Sequence, residues 1–367
     1  MKVPFLDLRV EKDNEIQVIL GAVEKVLRHG KLVMGPELVE FEEKLAKFCS
    51  RKYAVGVGSG TDALFLGIKA LGIGRGDQVI TTSLSWVATC NAIKLTGATP
   101  VFADIKDDLN IDVDSVASLI TSQTKAILFV NFTGRLCNID ALLELAARHG
   151  LYLIEDGSQS FGASLGNQKS GSFGIISAIS HNPMKVFASI GEAGSILCDD
   201  EEIYEKLQVL RYNGTVNRET CIVPSLNGRM DTIQAAVLLE RLKTFNEVIS
   251  SRRHNASIYL EQLVDFVKLP VVQTVDSHVY YTFTLMSSER DKLKSFLESK
   301  GIETKIQHPL LMPQQPAYRD SIGEWKNAKI YSSQILSIPV HEKLARNQID
   351  YVIEMIQLFG PTIPTNH

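Results

Sequence analysis

Three short stretches of this sequence carry side chains whose type and spacing suit chemistry. The first, Gly56-Val57-Gly58-Ser59-Gly60-Thr61-Asp62-Ala63, lies between a strand pattern and a helix pattern. Such a turn aims backbone N–H groups and a helix N-terminus at one point, which suits a phosphate. The dinucleotide fingerprint G-x-G-x-x-G does not fit. Thr61 stands where the third glycine belongs, and no acidic residue ends the next strand, Val79-Ile80-Thr81-Thr82-Ser83. Read alone, the segment is equally a plain turn with Ser59 or Thr61 as helix cap. The second stretch, Leu151-Tyr152-Leu153-Ile154-Glu155-Asp156-Gly157-Ser158-Gln159, is an apolar strand that ends in two carboxylates. Ligands of open α/β sheets bind at that edge. A carboxylate there could hold a protonated heteroaromatic nitrogen, a metal or a ribose, or Asp156 could simply cap a helix. The third, Ser180-His181-Asn182-Pro183-Met184-Lys185, follows another apolar strand and precedes Gly191-Glu192-Ala193-Gly194. A lysine set against a sheet edge is a Schiff-base candidate, because partial burial frees its amine, although most lysines are only solvated surface.

Taken together, a phosphate cradle, a carboxylate for a ring nitrogen and a Schiff-base lysine are the parts that pyridoxal phosphate requires. The elements that must position them read as a layered α/β domain. Short apolar runs at Tyr53–Val57, Gln78–Thr82, Thr99–Phe102, Ala126–Val130, Leu151–Ile154, Ile175–Ile179 and Ser195–Leu197 alternate with helical patterns. The helical patterns include Asp62–Leu71, Trp86–Leu95, Val113–Ile120 and Asn138–His149. Strands apolar throughout belong to a mainly parallel sheet covered on both faces. From Arg229 to Leu269 there is neither Gly nor Pro, which predicts one long helix. A smaller α/β unit should follow, with strands at Val279–Leu285 and Ile302–Ile306 and helices at Glu289–Ser299 and Asn347–Leu358. The expected division is residues 1–250, with the N-terminal segment, and residues 251–367.

Composition narrows the function classes. The chain has 367 residues, with 38 Lys plus Arg against 42 Asp plus Glu, so its net charge is 38 − 42 = −4. No basic stripe suggests nucleic acid. No secretory signal opens the chain, and no apolar run is long enough to span a bilayer. Five scattered cysteines without a CxxC pair suggest neither disulfides nor a zinc knuckle. The expectation is a cytoplasmic protein with no metal, no nucleic-acid partner and no membrane partner.

Longer motifs carry a resemblance. They are VPFLDL at 3–8, GPELVEFEEKLAKF at 35–48, VGSGTDALFLGIKALGIGRGDQVITTSLSWVAT at 57–89 and LIEDGSQSFGA at 153–163. They continue with GSFG at 171–174, NPMK at 182–185 and LNGRMDTIQAAVLLERL at 226–242. In this order they resemble the DegT/DnrJ/EryC1/StrS family of sugar aminotransferases, a branch of the fold-type I pyridoxal-phosphate enzymes. The resemblance implies a seven-stranded, mainly parallel sheet in the large domain and a smaller C-terminal domain. It implies that Ser59, Gly60, Thr61 and Ser180 surround the cofactor phosphate, that Trp86 stacks on the ring, and that Gln159 lies near the ring's 3-hydroxyl. Asp156 would hold the ring nitrogen's proton and Lys185 would form the Schiff base. Asn227 would reach the phosphate of a neighbouring subunit's cofactor, making a homodimer the smallest competent unit. Arg229 and His308 are assigned to the substrate entrance, and Tyr212, Asn213 and Pro309 could touch the sugar. Arg229 could equally be a helix-start arginine, and a lone histidine such as His181 or His308 is more often structural than catalytic.

The implied reaction moves an amino group from an amino acid, glutamate being usual, to a keto-sugar carried on a nucleotide. The products would serve surface-polysaccharide or secondary-metabolite sugar biosynthesis. A sugar dehydratase of the same family would carry His where Lys185 stands. A non-catalytic pyridoxal-phosphate-binding protein is the remaining alternative, since fold alone does not prove activity. The chain departs from the family at Val130-Asn131-Phe132-Thr133-Gly134, where a histidine is common, and at His181, where an aromatic is common. It departs again at Gly191-Glu192-Ala193-Gly194, where GDGG is usual.

Overall fold

Seven strands build the central sheet of the computed structural model, which describes residues 1–271 and 274–364. They are β1 (Tyr53–Val57), β2 (Gln78–Thr82), β3 (Thr99–Ala103), β4 (Thr124–Val130), β5 (Tyr152–Asp156), β6 (Ile176–Ser180) and β7 (Gly194–Cys198). All seven match the sequence expectation, with ends shifted by a residue or two. Their order across the sheet is β1-β7-β6-β5-β4-β2-β3. Only β7 is antiparallel to its neighbours, and the other pairs are parallel.

Alternation along β4 shows why both faces need cover. Ile127 and Phe129 enter one core with Leu38, Phe41, Leu45 and Phe245. Ala126, Leu128 and Val130 enter the other with Leu64, Leu66, Ile176 and Leu207. Helices α1 (Asp13–His29), α2 (Pro36–Phe48), α3 (Gly60–Ala70), α4 (Ala88–Leu95), α5 (Val113–Ser118), α6 (Ile139–His149) and α7 (Glu201–Leu210) supply much of that cover. Register then decides what meets at the sheet edge. Val57, Gly194 and Ser180 lie opposite one another, and Asp156 lies opposite Ala178 and Val130. The ends of β1, β5 and β6 therefore converge.

The long helix α8 (Thr232–Gln262) is shorter than the Arg229–Leu269 stretch suggested. Its start is displaced because Arg229 and Asp231 form bridges with Val57 and Val33. It crosses Ser250 without a break, and Ala256, Tyr259 and Leu263 near its end join a separate apolar cluster. That cluster gathers β8 (Phe283–Met286), α9 (Arg290–Ser299), β9 (Ile335–Ile338) and α11 (Arg346–Phe359), with Val3 from the N-terminus. We propose a division into a large and a small unit near residue 250, with Val3 returning to the small one.

Two expectations for this region need correction. The strand expected at Ile302–Ile306 is absent, because Ile302 and Lys305 make only isolated bridges to Val3 and Ser337. The strand expected from Val279 begins at Phe283, since Tyr280 has φ 50° and cannot be extended there. Neither β9 nor α10 (Lys326–Gln334) was foreseen. A further apolar cluster joins Leu84, Phe102 and Phe132 of the large unit to Leu311, Met312 and Trp325, holding the 308–325 segment over the sheet edge.

Candidate active site

The glycine-rich turn is built as a cradle. Ser59 caps α3 by accepting a hydrogen bond from the Asp62 N–H at 3.0 Å. The N–H groups of Gly60 and Thr61 make no backbone bond among the described residues. Gly60 is pressed against the last residue of β6, so that a Cβ on it would lie 2.6 Å from that of Ser180. A Cβ on Gly194 would collide with the Ser59 carbonyl. The two N–H groups, the Ser180 side chain and the positive end of α3 thus share one small space.

The two carboxylates at the end of β5 have opposite fates. Glu155 is wholly buried and accepts five hydrogen bonds, from Asn131 Nδ2, Ser170 Oγ, Gly171 N, Phe173 N and Ser177 Oγ. Burial raises its pKa, against the pull of those donors. It is a structural hub. Asp156, only 5% exposed, receives the Thr89 hydroxyl at 2.9 Å and the Ser158 N–H at 3.2 Å. No helix starts at Asp156, so it is not a cap. Among the described residues no cation pairs with it. A buried carboxylate with two neutral donors and spare lone pairs calls for a positive group from outside.

Gln159 follows this carboxylate by three positions and is buried, its Oε1 accepting the Thr133 N–H at 2.9 Å. Thr133 has φ 60°. The Asn131-Phe132-Thr133 stretch, where the family commonly carries a histidine, therefore orients Gln159 through its backbone and Glu155 through Asn131.

Lys185 sits on the turn after β6, its N–H bonded to the Asn182 carbonyl at 2.8 Å. Its Nζ lies 4.6 Å from the ring centre of Tyr281, and no carboxylate among the described residues reaches it. Its loop is tied down by Asn182 Nδ2 donating to Glu192 at 2.6 Å and by Ser189 Oγ donating to the His181 carbonyl. The unusual Glu192 is thus a brace.

His181 is structural. It is fully buried among the edges of Phe41, Phe161 and Phe187, with Nε2 2.9 Å from Ser195 Oγ. Burial lowers its pKa to about 3, so it is a neutral ring doing an aromatic's work. His308 is different. It arrives from the small unit, with its ring 5.8 Å from those of Trp86 and Phe132. Burial lowers its pKa to about 4, with a further push from the charges of Lys185 and Lys305.

Trp86 lies in the loop before α4 rather than on the helix, and it is 59% exposed. Asn227 is exposed on a strand-like segment bridged to Tyr212. Its Oδ1 accepts from Arg229 Nε at 2.6 Å, and the Arg229 guanidinium stacks 4.5 Å above the Tyr212 ring. Arg229 is therefore not a helix-start residue, since α8 opens only at Thr232. Their backbone runs beside the cradle, with Arg229 bridged to Val57 and the Gly228 carbonyl accepting the Gly58 N–H at 2.9 Å. Thr89, Thr133 and Tyr281 were not singled out from sequence. Their roles depend on partners 67, 26 and roughly a hundred positions away, which no local pattern reveals.

The family model described as the DegT/DnrJ/EryC1/StrS aminotransferase family matches residues 13–357. The chain belongs to this family. Its relatives include the dTDP-3-amino-3,4,6-trideoxy-alpha-D-glucose transaminase of Streptomyces venezuelae, 35% identical over 97% of this chain and 96% of that one. Another is the UDP-2-acetamido-2-deoxy-3-oxo-D-glucuronate aminotransferase of Pseudomonas aeruginosa, 33% identical over 93% of this chain and 96% of that one. Among solved structures, NtdA of Bacillus subtilis with bound cofactor PMP superposes with a TM-score of 0.91 at 31% identity. It covers 97% of this chain and 85% of that one. The sheet and its helices are thus the aminotransferase fold, as expected from sequence.

Proposed function

We propose that this family member is a pyridoxal-phosphate-dependent transaminase that aminates a keto-sugar carried on a nucleotide, with an amino acid, glutamate by expectation, as donor. The observation that carries the reading is Asp156, a buried carboxylate without a cation among the described residues, at the edge where a phosphate cradle and Lys185 also converge. These residues fit the cofactor. Gly60 and Thr61 N–H with the Thr61 and Ser180 hydroxyls would hold its phosphate, Trp86 would cover one ring face, and Gln159 would orient the ring. Asp156 would keep a proton on the ring nitrogen, with Thr89 fixing the carboxylate. When bound, the cofactor supplies the electron-withdrawing ring that stabilises negative charge at a carbon losing its proton. Lys185 would then move that proton through Nζ, and neutral His308, beside Trp86, would face the sugar.

Both relatives act on sugars whose nitrogen or oxo group stands at position 3, which supports a 3-keto sugar as substrate. We further propose a homodimer in which Asn227 and Arg229 complete the partner's site, which the exposed Asn227 side chain supports. A cytoplasmic setting accords with five free cysteines. The test is spectroscopic. Glutamate should bleach the cofactor band of the purified enzyme, and a dTDP- or UDP-linked 3-keto sugar should restore it with a new C–N bond in the product. Lys185→Ala should abolish the cycle in a folded protein. A deoxy product without nitrogen would indicate a dehydratase instead.

A further inference from the structure

The 278–282 segment enters the cleft from the small unit under unusual constraint. Tyr280 has φ 50°, its N–H bonds to His278 Nδ1 at 2.9 Å, and its carbonyl accepts from the buried Arg252 at 3.1 Å. Val279 N–H donates to the Gly134 carbonyl at 3.0 Å and Thr282 N–H to that of Thr133 at 3.2 Å. Gly134, with φ 100°, is a required glycine, because a Cβ there would lie 2.8 Å from the Tyr281 nitrogen. Tyr281 is therefore clamped to the stretch that also fixes Gln159. A backbone held from this many directions, with Tyr280 at positive φ, carries strain, and such strain gathers at functional sites.

What this clamping presents is the face of the Tyr281 ring to Lys185 Nζ, at 4.6 Å from the ring centre. Among the described residues Lys185 has no carboxylate partner, and the one group whose titration its charge shifts, His308, offers it no negative charge. The ring face is the group that can attract and aim an ammonium there. We propose that Tyr281 is a positioning residue that holds the Lys185 amine over the cleft, so that it stays within reach whenever it is not covalently engaged. The inference rests on the proposed function, since it needs Lys185 to engage the cofactor. In that engagement the ammonium first gives one proton to solvent, and the free amine then condenses with the cofactor aldehyde, its two remaining N–H protons leaving with the carbonyl oxygen as water.

Tyr281→Leu and Tyr281→Phe test it. Apoenzyme of each is mixed with pyridoxal phosphate, and covalent capture at Lys185 is followed by absorbance and by borohydride trapping with peptide mapping. Affinity for pyridoxamine phosphate, which makes no bond to the lysine, is measured beside it. Loss of a ring-face contact predicts capture slowed roughly tenfold in Tyr281→Leu. Tyr281→Phe, which keeps the face, should stay within about twofold, and pyridoxamine phosphate affinity should hold in both. Wild-type capture rates in Tyr281→Leu would overturn the proposal, as would a Phe variant as slow as Leu, or a parallel loss of pyridoxamine phosphate binding. A wild-type enzyme whose Lys185 takes no label would instead sink the functional reading.

Discussion

Glu155 and Asp156 are neighbours of the same chemical type, and the fold gives them different work because strand alternation sends them to opposite faces. Glu155 gathers donors from Asn131, the 170–173 turn and Ser177, and so ties β5 to three other segments. Glu155→Ala would leave those donors buried and unpaired, costing about 3 kcal/mol or more. A large drop in melting temperature should therefore appear with or without cofactor. Asp156→Asn keeps the shape and should melt near wild type, yet lose most turnover, because an amide cannot hold a proton on a ring nitrogen. Melting curves beside steady-state rates would separate the two, and equal stability losses would refute the division. His181 adds a pH signature. Its folded pKa is about 3 against an ordinary 6.5, so between these values the unfolded chain binds a proton that the folded chain refuses. Stability is then lost as pH falls from about 6.5 toward about 3. His181→Phe should flatten this acid limb of a denaturation series, at the cost of leaving Ser195 Oγ without its partner. An unchanged slope would count against it.

At the scale of elements, the seven strands of the sheet were legible because each is a short apolar run ending in small or polar residues. The Gly60, Asp156 and Lys185 positions were legible because each ends or follows such a run. What escaped was fixed by distant partners. Lys326–Gln334 is polar, with a weak apolar stripe, and its own N-cap residue, Trp325, supplies no side-chain cap. The missing cap comes from Asp104 after β3, whose carboxylate accepts the N–H groups of Asn327 at 3.0 Å and Ala328 at 2.9 Å. Trp325 Nε1 meanwhile bonds the Phe102 carbonyl at 2.7 Å. A helix started by a residue over two hundred positions away has no local signature. Asp104→Ala should cost about 1 kcal/mol. Because α10 anchors the small unit over the cleft, the variant should also raise KM for the sugar more than it lowers kcat. A kcat loss with KM unchanged would place the effect elsewhere.

For the whole molecule, the question is what covers its outer face. Leu32 at 47%, Val33 at 40%, Ile222 at 62% and Leu226 at 42% exposure flank the segment carrying Asn227 and Arg229. A bridge from Val33 to Asp231 and a bond from Thr232 N–H to the Leu32 carbonyl hold these parts together. An apolar surface around Asn227 and Arg229 supports the isologous contact proposed above, in which each copy would lend Asn227 to the other. Sharing of this kind makes a prediction that burial alone does not. Lys185→Ala and Asn227→Asp should each be inactive as pure proteins, the first for want of the amine, the second because a carboxylate would repel the phosphate. Mixed under conditions that let subunits exchange, they form heterodimers in which the Lys185 of the Asn227→Asp chain meets the Asn227 of the other. One of the two sites is then intact, and statistical mixing puts half the dimers in that state. Activity should reappear at about a quarter of the wild-type level per site, with the number fixed by symmetry rather than by any contact energy. A mixture that remains dead while exchange is demonstrated would mean that each chain builds its site alone, and Asn227 would then need another explanation.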